Sequence, residues 1–249
     1  MKRTALHFIM AKLIIFTFIT TVYAEDVLKS NAANVEEAWQ KLDVQLLEKA
    51  INALDDMAKK NPKDHLPLYY SARAHFAIAD CLDIKSSEKF DQTGEGENHI
   101  DTALDLIKTS LSIKEDSADT HILRYKILRR KMSHVGFPQL MMLIQDRKNA
   151  HTRSQELSPD CLDVQIINAL EVAEGGWPMP PPEQPVAEFE KILKKSPNTP
   201  DAYYYIGTLW DKAKKTADAE KNYKKALELN PNHHWAKKML KSLASGSGT

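Results

Sequence analysis

The stretch PDAYYYIGTLWDKAKKTADAEKNYKKALELNP, residues 200–231, decides the fold. Large and small side chains recur in it at fixed offsets, on Tyr203, Ile206, Gly207, Trp210, Ala219, Tyr223, Ala226 and Pro231. The rest of the chain gives the same direction. It has 249 residues, 43% hydrophobic and 27% charged, and only 8 glycines. Runs with β-branched alternation are hard to find, which points to helices. The 34 Lys and Arg balance 34 Asp and Glu, so no strong field marks a nucleic-acid binder.

Those eight positions resemble the signature of a tetratricopeptide repeat (TPR), a helix-turn-helix unit of about 34 residues. The resemblance implies an all-α, right-handed solenoid in which helix A and helix B of each repeat pack side by side. Gly207 and Ala219 then let the two backbones approach, and Tyr203, Trp210 and Tyr223 fill the space around that contact. Pro231 stops helix B.

Counting backward by the helix-stopping position, Pro231, Pro197, Pro159, Glu115 and Pro62 are separated by 34, 38, 44 and 53 residues. The excess is expected between helix A and helix B, where a solenoid tolerates insertions. This predicts about five helix pairs over residues 25–244: 35–42 with 44–60, 65–84 with a helix carrying Ile100 to Leu111, 118–132 with 138–157, 161–173 with 186–195, and the clear pair after Pro200. A closing helix over 234–243 covers the last apolar face. The tail 245–249 is expected to be disordered. Two repeats depart from the signature: Arg124 and Tyr125 stand where an apolar residue and glycine are usual, and Asn168 stands at the apolar position beside a fitting Ala169.

The first 24 residues have the form of a secretory signal peptide. Lys2, Arg3 and Lys12 precede the apolar run 13–23, and Val22-Tyr-Ala24 offers a cleavage site before Glu25. The run is too short to span a bilayer. A periplasmic or secreted protein follows, with no other membrane contact expected. Cys81 and Cys161 would then meet an oxidising compartment, but helices two repeats apart leave a bridge out of reach in a straight stack.

Between two helical stretches lies EGGWPMPPPEQP, residues 174–185. Gly175 and Gly176 are expected to end a helix with positive φ, and Pro185 suits the first turn of the next. Trp177 is either tucked against the helix pair or displayed to a partner. The TPR register assigns a concave helix-A groove to Asp119, Ile122, Lys126, Arg129 and Arg130, to Asp163, Ile166 and Leu170, and to Asp201, Tyr204, Thr208, Asp211 and Lys212. The basic cluster 124–131 could receive a peptide carboxylate, since arginine binds carboxylates as a fork. Tyr204 and Thr208 replace the lysine and asparagine of carboxylate-clamp TPR domains, so a C-terminal chaperone tail is a poor fit.

No P-loop, nucleophile elbow, His-Glu-x-x-His or Cys-x-x-Cys occurs. The adjacent His233 and His234 diverge on a helix, and His121, His134 and His151 lack carboxylate pairing at i, i+4, so no metal or other cofactor is expected. The layout implies a non-enzymatic scaffold that binds another protein or peptide in the bacterial cell envelope. It also resembles exported TPR proteins with a Gly-Gly loop, including companions of tripartite (TRAP-type) transporters, which leaves solute handling as the alternative.

Overall fold

The computed structural model describes residues 25–86, 93–176 and 178–245. Within them the chain is all-helical, and its eleven helices pack in adjacent pairs. They are α1 (25–41), α2 (Val44–Lys60), α3 (Leu66–Lys85), α4 (Glu95–Ile113), α5 (Ala118–Lys131), α6 (Gln139–Leu157), α7 (Leu162–Glu174), α8 (Glu183–Lys195), α9 (Pro200–Lys212), α10 (Thr216–Leu229) and α11 (His234–Ala244). Residues 1–24, where a signal peptide is expected, residues 87–92, Trp177 and residues 246–249 lie outside the described residues.

Connections and helix lengths together set the uneven period. From α4 onward every link from helix B to the next helix A spans four residues: 114–117, 158–161, 196–199 and 230–233. Over the same stretch, links from A to B vary from three residues (213–215) to eight (175–182). The turns from A to B thus take part of the excess, and longer helices take the rest: α5 and α6 run 14 and 19 residues against 13 and 14 in α9 and α10.

By its contacts the chain divides into two compact units, residues 1–82 with 91–115, and 83–90 with 116–249. The core of the first gathers Leu28, Val35 and Ala38 of α1, Leu47, Ala50, Ile51 and Leu54 of α2, and Ala74, Ala77, Ile78 and Cys81 of α3. Asp43 caps α2, its Oδ1 accepting from the Leu46 amide at 3.0 Å. Sequence reasoning starts the first helix at Val35, but α1 already runs from residue 25. Leu28 stands two turns before Val35 on the same buried stripe, and its burial secures the earlier turns. Helices α3 and α4 meet through His75 and His99, whose Nδ1 atoms are 2.8 Å apart, and through Ser110 Oγ, which donates to the His65 carbonyl at 3.2 Å.

In the second unit α5 packs on α6, α7 on α8, α9 on α10, and α10 on α11. The α9–α10 pair has the expected form. A Cβ on Gly207 would sit 2.6 Å from the Tyr223 ring, and Tyr223, Ala219 and Ala226 are fully buried. The α5–α6 pair fills the corresponding place with a large side chain. Tyr125 takes the glycine position and is fully buried, and it shares a core cluster with Ala150 of α6, Val164 and Ile167.

The α7–α8 link corrects one expectation. Gly175 ends α7 at φ −87°, not in the left-handed region. What excludes a side chain is proximity: a Cβ there would collide with the Glu171 carbonyl oxygen. Helix α8 begins at Glu183, three residues earlier than expected, because Pro185 lacks an amide that the first turn does not use.

Candidate functional site

The last turns of α5 and α7 are bound together. Arg129 holds Glu174 as a fork, with Nε at 3.0 Å and Nη2 at 2.6 Å from Oε1. From beneath, buried Arg147 of α6 reaches Glu174 Oε2 at 3.0 Å and Glu171 Oε1 at 3.1 Å. The Tyr125 hydroxyl donates to Glu171 Oε1 at 2.8 Å. Arg129 also lies over the ring of Tyr205 at 5.7 Å, and Arg147 over Tyr125 at 5.5 Å. Two acids in the final turn of a helix oppose its dipole, which favours cations there. Two arginines from neighbouring helices supply the compensation.

Titration follows this arrangement. Burial raises the Glu174 carboxyl, but Arg129, Arg147 and Lys212 outweigh it and hold the group below the usual carboxylate range. Burial pushes the Tyr125 hydroxyl far above its ordinary value. Burial works against the charge on Arg129, yet the Glu174 carboxylate holds its pKa above the ordinary value. Arg129 and Glu174 thus hold each other in their charged forms.

Toward the N-terminal ends of the same helices the charges are more open. Lys126 Nζ donates to Asp163 at 2.9 Å, with both side chains partly exposed. Burial opposes the charge on Asp201, but its hydrogen bond with His233 and the nearby Lys126 lower its pKa overall. His233 Nε2 lies 3.0 Å from Asp201, while Nδ1 accepts from the Ala236 amide and caps α11. The single ring proton therefore sits on Nε2. Tyr204 packs its ring against His233 at 5.0 Å and Tyr205 at 5.1 Å.

The groove residues expected from sequence separate into two groups. Lys126, Arg129, Asp163, Tyr204 and Thr208 are partly exposed along α5, α7 and α9, beside the exposed Asp119, Asp201 and Lys212. Ile122, Arg130, Ile166, Leu170 and Asp211 are buried. Arg130 is bound to Asp83, which falls in the same unit, through Nε at 2.7 Å and Nη2 at 2.9 Å. Ile166 belongs to the core with Phe189 and Ile206. The Thr208 hydroxyl turns inward and donates to the Tyr204 carbonyl. Sequence reasoning missed Glu171, Glu174 and Arg147. The two acids at the end of α7 were the available signal, because they require nearby cations.

A shallow groove of about 290 Å3 opens between α7 and α8, lined by Asn168, Val172, Ile192 and Lys195 among others. Among the described residues no three His, Cys, Asp or Glu side chains gather as a metal site would require.

Comparison with known proteins completes the assignment. A family model for the tetratricopeptide repeat matches residues 200–233. No curated protein matches the chain. Among solved structures, a thermophilic TPR protein of Thermus thermophilus, TTC0263, superposes with a TM-score of 0.63 at 14% identity, covering 88% of this chain and 99% of that one. MamA gives a TM-score of 0.44 at 17% identity, covering 83% of this chain and 93% of its own. YrrB, described as a TPR protein with an unusual peptide-binding site, gives 0.39 at 15%, covering 80% and 86%. At these identities the likeness to TTC0263 concerns the fold. Residues 200–233 match the tetratricopeptide repeat, carried by α9 and α10, and the chain as a whole has the fold of a TPR solenoid.

Proposed function

We propose that this chain is a non-catalytic scaffold of the bacterial cell envelope that holds a protein or peptide along the helix-A faces of α5, α7 and α9. A TPR fold indicates a protein-binding scaffold in general. One observation supports the specific face. Lys126, Asp163, Asp201 and Tyr204 form a partly exposed row of both charges and one ring, carried by rigid, mutually paired helices. Such a row offers hydrogen bonds to an extended main chain at little ordering cost. Arg129 and Arg130 serve this face as structural ties, because both are engaged by acids of the chain itself. The alternative, solute handling beside a TRAP-type transporter, asks for an enclosed cleft, and the groove between α7 and α8 is open and mixed in polarity.

The leader supports export, with cleavage after Ala24, and an intact leader on protein recovered from the envelope fraction would oppose it. For the binding face, the exported form and its Lys126→Glu, Tyr204→Ala variant are used to capture partners from envelope extract. Wild type is expected to retain a protein that the variant loses at unchanged helical content. Equal retention by both would remove this face from the binding site.

A further inference from the structure

The described residues carry six exposed large apolar side chains, and the four most exposed belong to the second unit. Phe137 is 78% exposed, Met142 73%, Met179 70% and Met141 53%. They lie in or beside the turns that link helix A to helix B. Three such turns, 132–138, 175–182 and 213–215, leave from the same edge. Arg129 and Glu174 join the last turns of α5 and α7, and Lys212 in the last turn of α9 lies near enough to lower the Glu174 pKa. Lys215 and Glu183 then tie the third turn to the exit of the second at 2.8 Å.

The charge on this edge is basic in balance, with Lys131, Lys212, Lys214 and Lys215 against the exposed Glu183 and Asp218 and with Glu174 held by Arg129. The three turns, MSHVGFP, GGWPMPPP and AKK, contain no acidic residue. Lys214 and Lys215 lie in the third, Lys131 and Lys212 stand just before the first and third, and the nearby exposed acid Glu183 is bound by Lys215. Monomeric soluble proteins rarely leave contiguous apolar patches in water. Phenylalanine and methionine beside lysine suit a boundary where acyl chains meet anionic headgroups, since each lysine near such a surface adds attraction.

We propose that this edge is a peripheral membrane-docking surface, with Phe137, Met141, Met142 and Met179 entering the headgroup layer and Lys212 and Lys214 meeting anionic lipid. The surface is separate from the helix-A face, lies at the helix ends, and needs no peptide partner. None of the helices in the described residues is long and apolar enough to cross a membrane, so the contact is superficial. It extends the sequence reading, which allows membrane contact only through the leader.

The test is hydrogen exchange of the full chain with vesicles of phosphatidylcholine alone or mixed with phosphatidylglycerol. Protection is expected at residues 136–142 and 178–182 with the mixed vesicles, weakening as salt rises. A Phe137→Ser, Met142→Ser variant alters exposed side chains only. It should keep the helical spectrum and lose about tenfold in the vesicle concentration dependence of that protection, as expected for two interfacial side chains. The readout is local, so attachment through residues 13–23 alone would leave these turns unprotected and overturn the proposal. Equal protection in the variant would overturn it too. Protection that depends on protein concentration and persists without vesicles would assign the edge to a second copy instead.

Discussion

Replacing Gly207 with alanine adds a single methyl group where α9 and α10 approach most closely. The new Cβ would lie 2.6 Å from Tyr223 Cε1, 2.7 Å from Cδ1 and 3.2 Å from Cζ. Carbon atoms rest at about 3.5–4.0 Å, so the ring must retreat by roughly 1 Å. Tyr223 is fully buried, so the ring has little room in which to move. Overpacking of this kind costs about 1–3 kcal/mol, while alanine in a helix interior gains about 1 kcal/mol over glycine. The expected net loss is about 1 kcal/mol. Urea unfolding followed by tryptophan fluorescence, which includes Trp210 and Trp235, should show a lower midpoint at unchanged slope. Tyr223→Leu removes the ring edge, so in its background Gly207→Ala should no longer destabilise, giving a coupling of about 1 kcal/mol or more. A stabilising Gly207→Ala with no coupling to residue 223 would refute the close approach and the register built on it.

Three further outcomes follow from other contacts. Arg147→Ala leaves Glu171 and Glu174 short of a buried cation and should cost about 3–5 kcal/mol by thermal unfolding; an intact midpoint would mean the network carries little stability. Burial and the facing His99 lower His75 from 6.5 to about 4, with Asp55 opposing, and His99 is lowered as well, by burial, with Glu95 and Glu48 opposing. The folded pair favours the neutral form, so its stabilisation is present above pH 6.5 and is lost as pH falls toward 4. After allowance for partial exposure the loss is about 1–2 kcal/mol, and His75→Phe should flatten that slope in a pH series of urea midpoints. Lys214 holds φ at 60°, a region that disfavours side chains, so Lys214→Gly should raise stability by about 0.5–1 kcal/mol in the same urea assay.

The helix pairs were legible because packing in this fold needs small residues at fixed offsets, and Gly207, Ala219 and Ala226 supply them in the last repeat. The earlier copies were legible through their helix-stopping positions, which survive even where the signature does not. The start of α1 was not, since Val27 and Leu28 are the only large apolar residues before Val35 and the burial of Leu28 depends on α2 and α3. The groove was only half legible. Register places Arg129 and Arg130 on the concave face, but a register cannot show whether a neighbouring acid already holds the guanidinium. Glu174 and Asp83 do so, and both lie far away along the chain.

The departures from the signature are where this chain becomes particular. A glycine at position 125 would have given the third repeat the same plain contact as the last. A tyrosine there packs with Ala150, Val164 and Ile167 and beside His151, and its hydroxyl is carried to Glu171 of the next repeat. A buried hydroxyl requires an acceptor. Glu171 answers it, and a buried carboxylate in turn requires a cation, which Arg147 provides. Arg147 has a second fork end, and Glu174 closes it while binding Arg129. Each step is forced by the one before. One large residue at a glycine position thus accounts for a polar chain that locks the ends of α5 and α7 together.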